Sequence, residues 1–297
     1  MANKAYEVIT QSIIDALSKG TVPWRKEWLT SGYSPKSLSS GKNYKGTNAL
    51  LLSFSAGANG YVSPWWGTYK QITERGGQVR KGEKSTPVVL WKQLKTEDTK
   101  TGADKVIPLL RYFSVFCADQ VDWANGEPEY EKPVLRTETQ IIESANAIVT
   151  AYTGRENLSV LAGGDRAYYT PSKDYVQMPL QSAFTSDEAY YSTLFHELGH
   201  STGHKSRLSR DGVVENHYFG SELYSEEELV AELTAAFLCS ETGIAPSTLD
   251  NSVAYIGSWL KVLQNDPKMV VKAAGKASKA ADYIINGKTE KPEGGGE

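Results

Sequence analysis

The chain has 297 residues, 40% hydrophobic and 23% charged, with a formal net charge of −3. These totals exclude wholesale disorder and leave room for two domains of ordinary size. Two cysteines far apart in sequence exclude a disulfide framework, and no apolar run approaches the roughly 20 residues of a membrane span. A soluble cytoplasmic protein without a signal segment or a membrane partner is expected.

Charge is unevenly spread. Residues 1–130 carry 17 Lys and Arg against 12 Asp and Glu, a net of +5, whereas residues 131–297 carry 15 against 23, a net of −8. The basic half is the better candidate for a polyanion partner. It also holds six of the seven tryptophans, all before residue 125.

A helix is expected over about residues 4–19, where Val8, Ile9, Ile13, Ile14 and Leu17 share one face before Gly20. A short apolar stretch, "NALLLSF", follows a Gly- and Ser-rich segment. "WWGTYKQITERGG" reads as a helix ended by Gly76 and Gly77. "TPVVLWKQL" and "VIPLLRYFSVFC" read as strands joined across the polar loop "KTEDTKTGADK". The first half, residues 1–125, is therefore α+β with a small sheet. "NGEPEYEKPV" places a linker at about 126–135. In the mostly helical second half, residues 136–287, "TETQIIESANAIVTAYTG" is a helix and "AYYTPSKDYVQMPL" gives two short strands. Helices follow at about 186–202, 225–242 and 251–285, and the tail 288–297 is too polar to fold.

"TLFHELGHSTGH" holds three of the four histidines. Within HELGH, His196 and His200 are four apart and so share one helical face, with Glu197 beside the first. Two imidazole ligands and a carboxylate able to take a proton from a metal-held water are what a zinc hydrolase needs. Thr185 and Glu188 form a capping box for this helix, and Gly203 can end it. The metzincin spacing fails, because Ser206 stands where the third histidine would be. A later glutamate can replace it, and "YSEEELVAELTAAFL" offers Glu228 and Glu232 on one face. Ser225 and Glu228 match a capping box, whereas Glu232 lies mid-helix among apolar residues, where a carboxylate is costly unless paired or ligating. Glu232 is the expected third ligand, and Glu228 the alternate. Zinc is expected, with manganese or cobalt also fitting. "DYVQMP" is expected to form the edge of a substrate cleft, and Tyr168, Tyr169, Tyr218 and Tyr224 are candidate oxyanion donors.

"HELGHSTGHKSRLSR", "FGSELYSEEELVAELTAAFL" and "YIGSWLKVL" closely resemble the C-terminal metallopeptidase-like domain of ArdC-type plasmid antirestriction proteins. "GTVPWRKEW", "NYKGTNALLL", "WWGTYKQITERGGQVRKGEKSTPVVLW" and "YFSVFCADQ" resemble that family's N-terminal single-stranded-DNA-binding domain. The resemblance implies non-specific binding of single-stranded DNA, a zincin-like second domain, and protection of incoming conjugative plasmid DNA from host restriction.

Single-strand binding needs aromatic faces for stacking and cations along the phosphates. Trp24, Arg25 and Lys26, then Lys42, Tyr44 and Lys45, then Lys70, and finally Arg80, Lys81 and Lys84 interleave the two. Two functions are open at this level. One is a peptidase held on DNA, with Glu197 as general base and an unknown protein substrate. The other is an occluding DNA-binding protein whose metal site is structural or vestigial.

Overall fold

The opening segment forms helix α1 (Ala2–Ser18), with Ile13 and Leu17 on its buried stripe. The coordinates are a computed structural model describing residues 2–18, 22, 34–97, 104–129, 136–214, 222–244 and 252–287. Strand β1 (Lys36–Ser37), helix α2 (Gly46–Asn59), strand β2 (Trp65–Thr68) and helix α3 (Tyr69–Glu74) follow. Strands β3 (Gly77–Val79), β4 (Thr86–Glu97), β5 (Asp104–Cys117) and β6 (Val121–Trp123) complete the first half.

The stretch expected to be one helix from Trp65 is divided. Its β-prone Trp-Trp start is strand β2, and the helix begins only where Thr68 and Gln71 cap each other. Gly76 takes a left-handed φ of 79°, and Gly77 lies in β3 rather than at a helix end. The two long strands pair as expected, antiparallel from Thr86 opposite Val115 to Glu97 opposite Asp104. They close a four-stranded sheet in the order β1-β2-β5-β4, and β3 pairs with β6. The outer edge of β4 is covered locally by Asn48, whose side-chain amide meets both N and O of Val89 at 2.7 Å.

The second half comprises α4 (Glu138–Glu156), β7 (Ser159–Ala162), β8 (Tyr168–Thr170), β9 (Tyr175–Met178) and α5 (Asp187–Ser201). After these come α6 (Asp211–Val214), α7 (Glu222–Thr242), α8 (Ser252–Asn265) and α9 (Met269–Asn286). The expected final helix is two helices, because Pro267 interrupts the run and Lys268 restarts it by donating to Asp266 Oδ1 at 2.9 Å. The three-stranded sheet has the order β7-β9-β8. "DYVQMP" therefore supplies the central strand, hydrogen-bonded on both sides, and not the cleft edge.

The halves meet in one apolar core. Leu229, Val230, Leu233 and Ala236 of α7 pack with Ile13 and Leu17 of α1, Leu50 and Leu51 of α2, and Val270, Ala273 and Ala274 of α9. Thr47 Oγ1 adds a hydrogen bond across the seam to the Val271 carbonyl, 3.3 Å. Helix α7 is thus a wall shared by both halves. The expected linker is described only to residue 129, and the tail 288–297 lies outside the described residues. No described helix is long and apolar enough to cross a membrane.

Candidate metal centre

Helix α5 begins at Ser186, whose side chain accepts from the Ala189 amide at 3.1 Å. The cap is one residue later than the expected Thr185 box, and is worth about 1 kcal/mol. Every residue from Tyr191 to Gly199 is buried, because one side of α5 covers the small sheet and the other crosses α7. A side chain on Gly199 would stand 3.2 Å from Ala231 Cα and 3.2 Å from Thr234 Cβ. Glycine in the middle of HELGH is therefore what lets the two helices touch backbone to backbone. That contact turns both histidines onto the glutamates of α7.

His196 Nε2 and His200 Nε2 lie 3.1 Å apart. Glu228 straddles them, Oε2 at 3.6 Å from His196 Nε2 and Oε1 at 3.5 Å from His200 Nε2. Donor atoms of the three residues all lie within 4.8 Å of one another. Metal–nitrogen bonds of about 2.1 Å at square to tetrahedral angles separate two nitrogens by about 3.0–3.4 Å, so this donor set fits a divalent cation. The charge also fits. Burial works against ionised groups here, yet the hydrogen bond that His196 donates to Glu228 and the charges of Glu232 and Glu197 push His196 up to about 9. Burial likewise opposes charge on Glu228, but His200 and His196 hold it down at about 2. So many carboxylates around two imidazoles leave a site short of positive charge.

The two candidate third donors, Glu232 and its alternate Glu228, stand at different places around the histidines. Glu232 Oε1 is 3.6 Å from His196 Nδ1, on the far side of the ring from the converging nitrogens. Helix α7 starts at Glu222, so Ser225 and Glu228 are interior residues and form no capping box. Burial does not distinguish the two glutamates, Glu228 being 8% and Glu232 6% exposed. Glu197 is buried beside His196. Of the tyrosines, Tyr224 donates to the Glu228 carboxylate, Tyr169 is committed to Asp174 at 2.7 Å, and Tyr168 is exposed. Tyr218 and His217 lie outside the described residues, and His204 is turned to Ser206 at 2.7 Å.

Three supporting residues had no sequence signal beyond standing in the blocks "KSRLSR" and "SEEEL", which carry part of the family resemblance. Glu227 Oε1 meets His200 Nδ1 at 3.3 Å, and Arg210 grips both oxygens of Glu227 at 2.6 and 2.8 Å. Arg207 holds Asp174 with both terminal nitrogens and donates to the Ser201 carbonyl at 2.8 Å, tying the β8–β9 turn to the end of α5.

The expected DNA contacts divide. Trp24, Arg25 and Lys26 lie outside the described residues. Tyr44 is half-buried, and burial raises its hydroxyl pKa. Tyr44 and Lys45 line a cavity of about 310 Å³ between α2 and α9, where Lys45 Nζ is 3.4 Å from Asp282. Lys70 faces Glu74 at 3.7 Å, and Arg80 faces Glu83 at 3.3 Å while donating to the Asp119 carbonyl. Lys42, Lys81 and Lys84 are exposed, but Lys42 follows β1 and the other two precede β4, the two outer strands of the sheet. Sequence reasoning passed over Arg111, Tyr112 and Phe113 of β5, which reach the surface although the strand reads as continuous core.

Comparisons with known proteins agree with this architecture. Residues 3–116 match the family model described as the N-terminal domain of anti-restriction factor ArdC, and residues 144–276 match one described as a zincin-like metallopeptidase. The metal-free crystal structure of the antirestriction ArdC protein from plasmid R388 is similar with a TM-score of 0.75 and 38% identity, covering 94% of this chain and 96% of that one. Its Mn(II)-bound structure gives 0.73 and 37% over the same shares. An uncharacterised protein, y4eC of Sinorhizobium fredii, is 37% identical over 94% of this chain and 91% of its own length. Two DNA primases TraC of Escherichia coli are 37% and 38% identical, but the chain spans only 20% and 27% of their lengths. With identity sustained across both halves and nearly the whole of the R388 protein, the chain belongs to the ArdC family of antirestriction proteins.

Proposed function

We propose that this chain protects incoming plasmid DNA from restriction in the cytoplasm by binding it as a single strand through the first half, while a zinc-dependent peptidase site in the second half acts on a protein. The observation that carries the reading is the convergence of His196, His200 and Glu228 beside a buried Glu197 in a chain of this family. Support for Glu228 as third ligand is its position across both Nε2 atoms, whereas Glu232 stands behind His196, 3.6 Å from its Nδ1. Manganese is a plausible substitute for zinc, since the R388 relative has a Mn(II)-bound structure.

When bound, the metal supplies a Lewis acid and a water of lowered pKa. Glu197 would be the general base, its carboxylate taking a proton from water and passing it to the leaving amine. His196 and His200 would hold the metal through their converging Nε2 atoms, and Tyr224 keeps the Glu228 carboxylate in place by donating to it. On the DNA side, exposed Lys42, Lys81 and Lys84 offer phosphate contacts, and exposed Tyr112 and Phe113 offer stacking faces.

The test is Glu197→Ala in the full chain, reading bound metal by elemental analysis and survival of unmodified plasmid DNA entering a restricting host. Metal retained with protection lost is the expected result. Metal and protection both retained would reject catalysis and leave DNA occupancy as the function.

A further inference from the structure

Resting on that metal-site reading, we infer that Arg210 and Glu227 form a positioning pair that sets the orientation of His200, and with it the site's affinity for its cation. Arg210 is 7% exposed and Glu227 6%. The guanidinium grips the carboxylate at two points, Nη2 to Oε1 at 2.6 Å and Nε to Oε2 at 2.8 Å, and so fixes its plane. Two of its remaining hydrogens go to the Gly199 carbonyl at 2.8 Å and to Thr202 Oγ1 at 2.6 Å, both at the end of α5. The pair therefore joins the helix bearing the histidines to the helix bearing Glu228.

Neighbouring glycines hold the pair in one arrangement. A side chain on Gly212 would come within 2.8 Å of Glu227 Cβ, and one on Gly203 within 3.0 Å of Arg210 Nη2. The backbone after α5 and that of α6 thus lie directly on the two side chains.

A buried ion pair needs no further role, and many have none. Two observations separate this one from a plain structural pair. Glu227 Oε1, already held by Arg210, is also the atom 3.3 Å from His200 Nδ1. With Nε2 turned toward Glu228, Nδ1 carries the ring hydrogen and donates it to that oxygen, which fixes tautomer and ring plane together. His196 has no equivalent: its Nδ1 is buried without a hydrogen bond, Glu232 Oε1 standing 3.6 Å away. The two imidazoles of one motif are held differently, and His200 is the anchored one.

The experiment is a Mn(II) titration of the metal-stripped full chain, comparing wild type with Glu227→Leu and Glu227→Gln well below their unfolding temperatures. Thermal unfolding of the metal-free proteins is followed in parallel. Mn(II) affinity is expected to fall about 10- to 100-fold in Glu227→Leu, and less in Glu227→Gln, which keeps the volume and an acceptor oxygen. The Co(II)-loaded Leu variant should also show shifted d–d bands. Lower unfolding temperatures with Mn(II) affinity within about twofold of wild type would make the pair purely structural and overturn the inference. Should the Leu variant not fold, an unchanged affinity in the Gln variant overturns it alone. The underlying reading fails separately, if His200→Ala takes up Mn(II) as well as wild type does.

Discussion

The α5–α7 helix pair and the basic, aromatic segments of the first half respond differently to the same question. In the helix pair, residues spaced by four on a rigid helix arrive together, and His196 Nε2 and His200 Nε2 stand 3.1 Å apart. In the first half, candidates chosen for type alone scatter: Lys45, Lys70 and Arg80 face acids, Tyr44 is half-buried, and the exposed lysines flank opposite edges of a sheet. A helix transmits sequence spacing into space, whereas loops and sheet edges do not. Chemistry written on one regular element is therefore readable, and chemistry assembled from several is not.

The largest effects should fall on the helix pair and can break that contrast. Glu228→Ala is expected to weaken Mn(II) or Zn(II) binding by about a thousandfold, about 4 kcal/mol, and Glu232→Ala by about 10- to 100-fold. Titrations giving the reverse order would return the ligand role to Glu232. Next, Gly199→Leu forces a side chain against Ala231 and should lower stability by about 3 kcal/mol, read by thermal unfolding of the metal-free protein. No loss would mean that the helices tolerate separation, and that the close crossing is not what aligns the cluster.

A smaller effect sharpens the other side of the comparison. Replacing Lys42, Lys81 and Lys84 together with alanine should reduce the salt slope of single-stranded-DNA binding by about 2, at about 0.7 for each phosphate contact. The same change at Lys45, Lys70 and Arg80, already facing acids, should reduce it less. Equal slopes would show that these surface pairings do not compete with DNA.

The smallest expected effect is one of pH. Burial alone would raise Asp174, but hydrogen bonds from Arg207 and Tyr169 hold it below the usual carboxylate range. With the folded value below an unfolded value of about 3.9, this contribution to stability is complete above that pH and lost as pH falls through the folded pKa. The gap in unfolding temperature between wild type and Asp174→Asn should be widest near neutrality and close on the acid side. A constant gap would mean that the Arg207 contact does not depend on the carboxylate's charge.

Much of the fold was legible for the same reason as the histidine motif. The α5 helix, the β4–β5 hairpin and the β8–β9 strands follow from local periodicity and turn residues, which act over a few positions. Boundaries were less so. Trp65 and Trp66 look compatible with the helix that follows until the sheet claims them, and the α8–α9 break turns on the single Pro267. Exposure of Tyr112 and Phe113 could not be read either, because an apolar strand does not say where its covering helix stops.

By itself the sequence determined that two histidines and a neighbouring glutamate share a helix, that glutamates follow on a second helix, and that net positive charge and tryptophan gather in the first half. Only the tertiary structure decided that Glu228 rather than Glu232 faces both Nε2 atoms, that Arg210 and Glu227 back His200, and that α7 is a wall common to both halves. The physical reason is rotation. Glu228 and Glu232 share one stripe of α7, so which of them meets the histidines depends on where the helices cross, and that is set by the contact of Gly199 with Ala231.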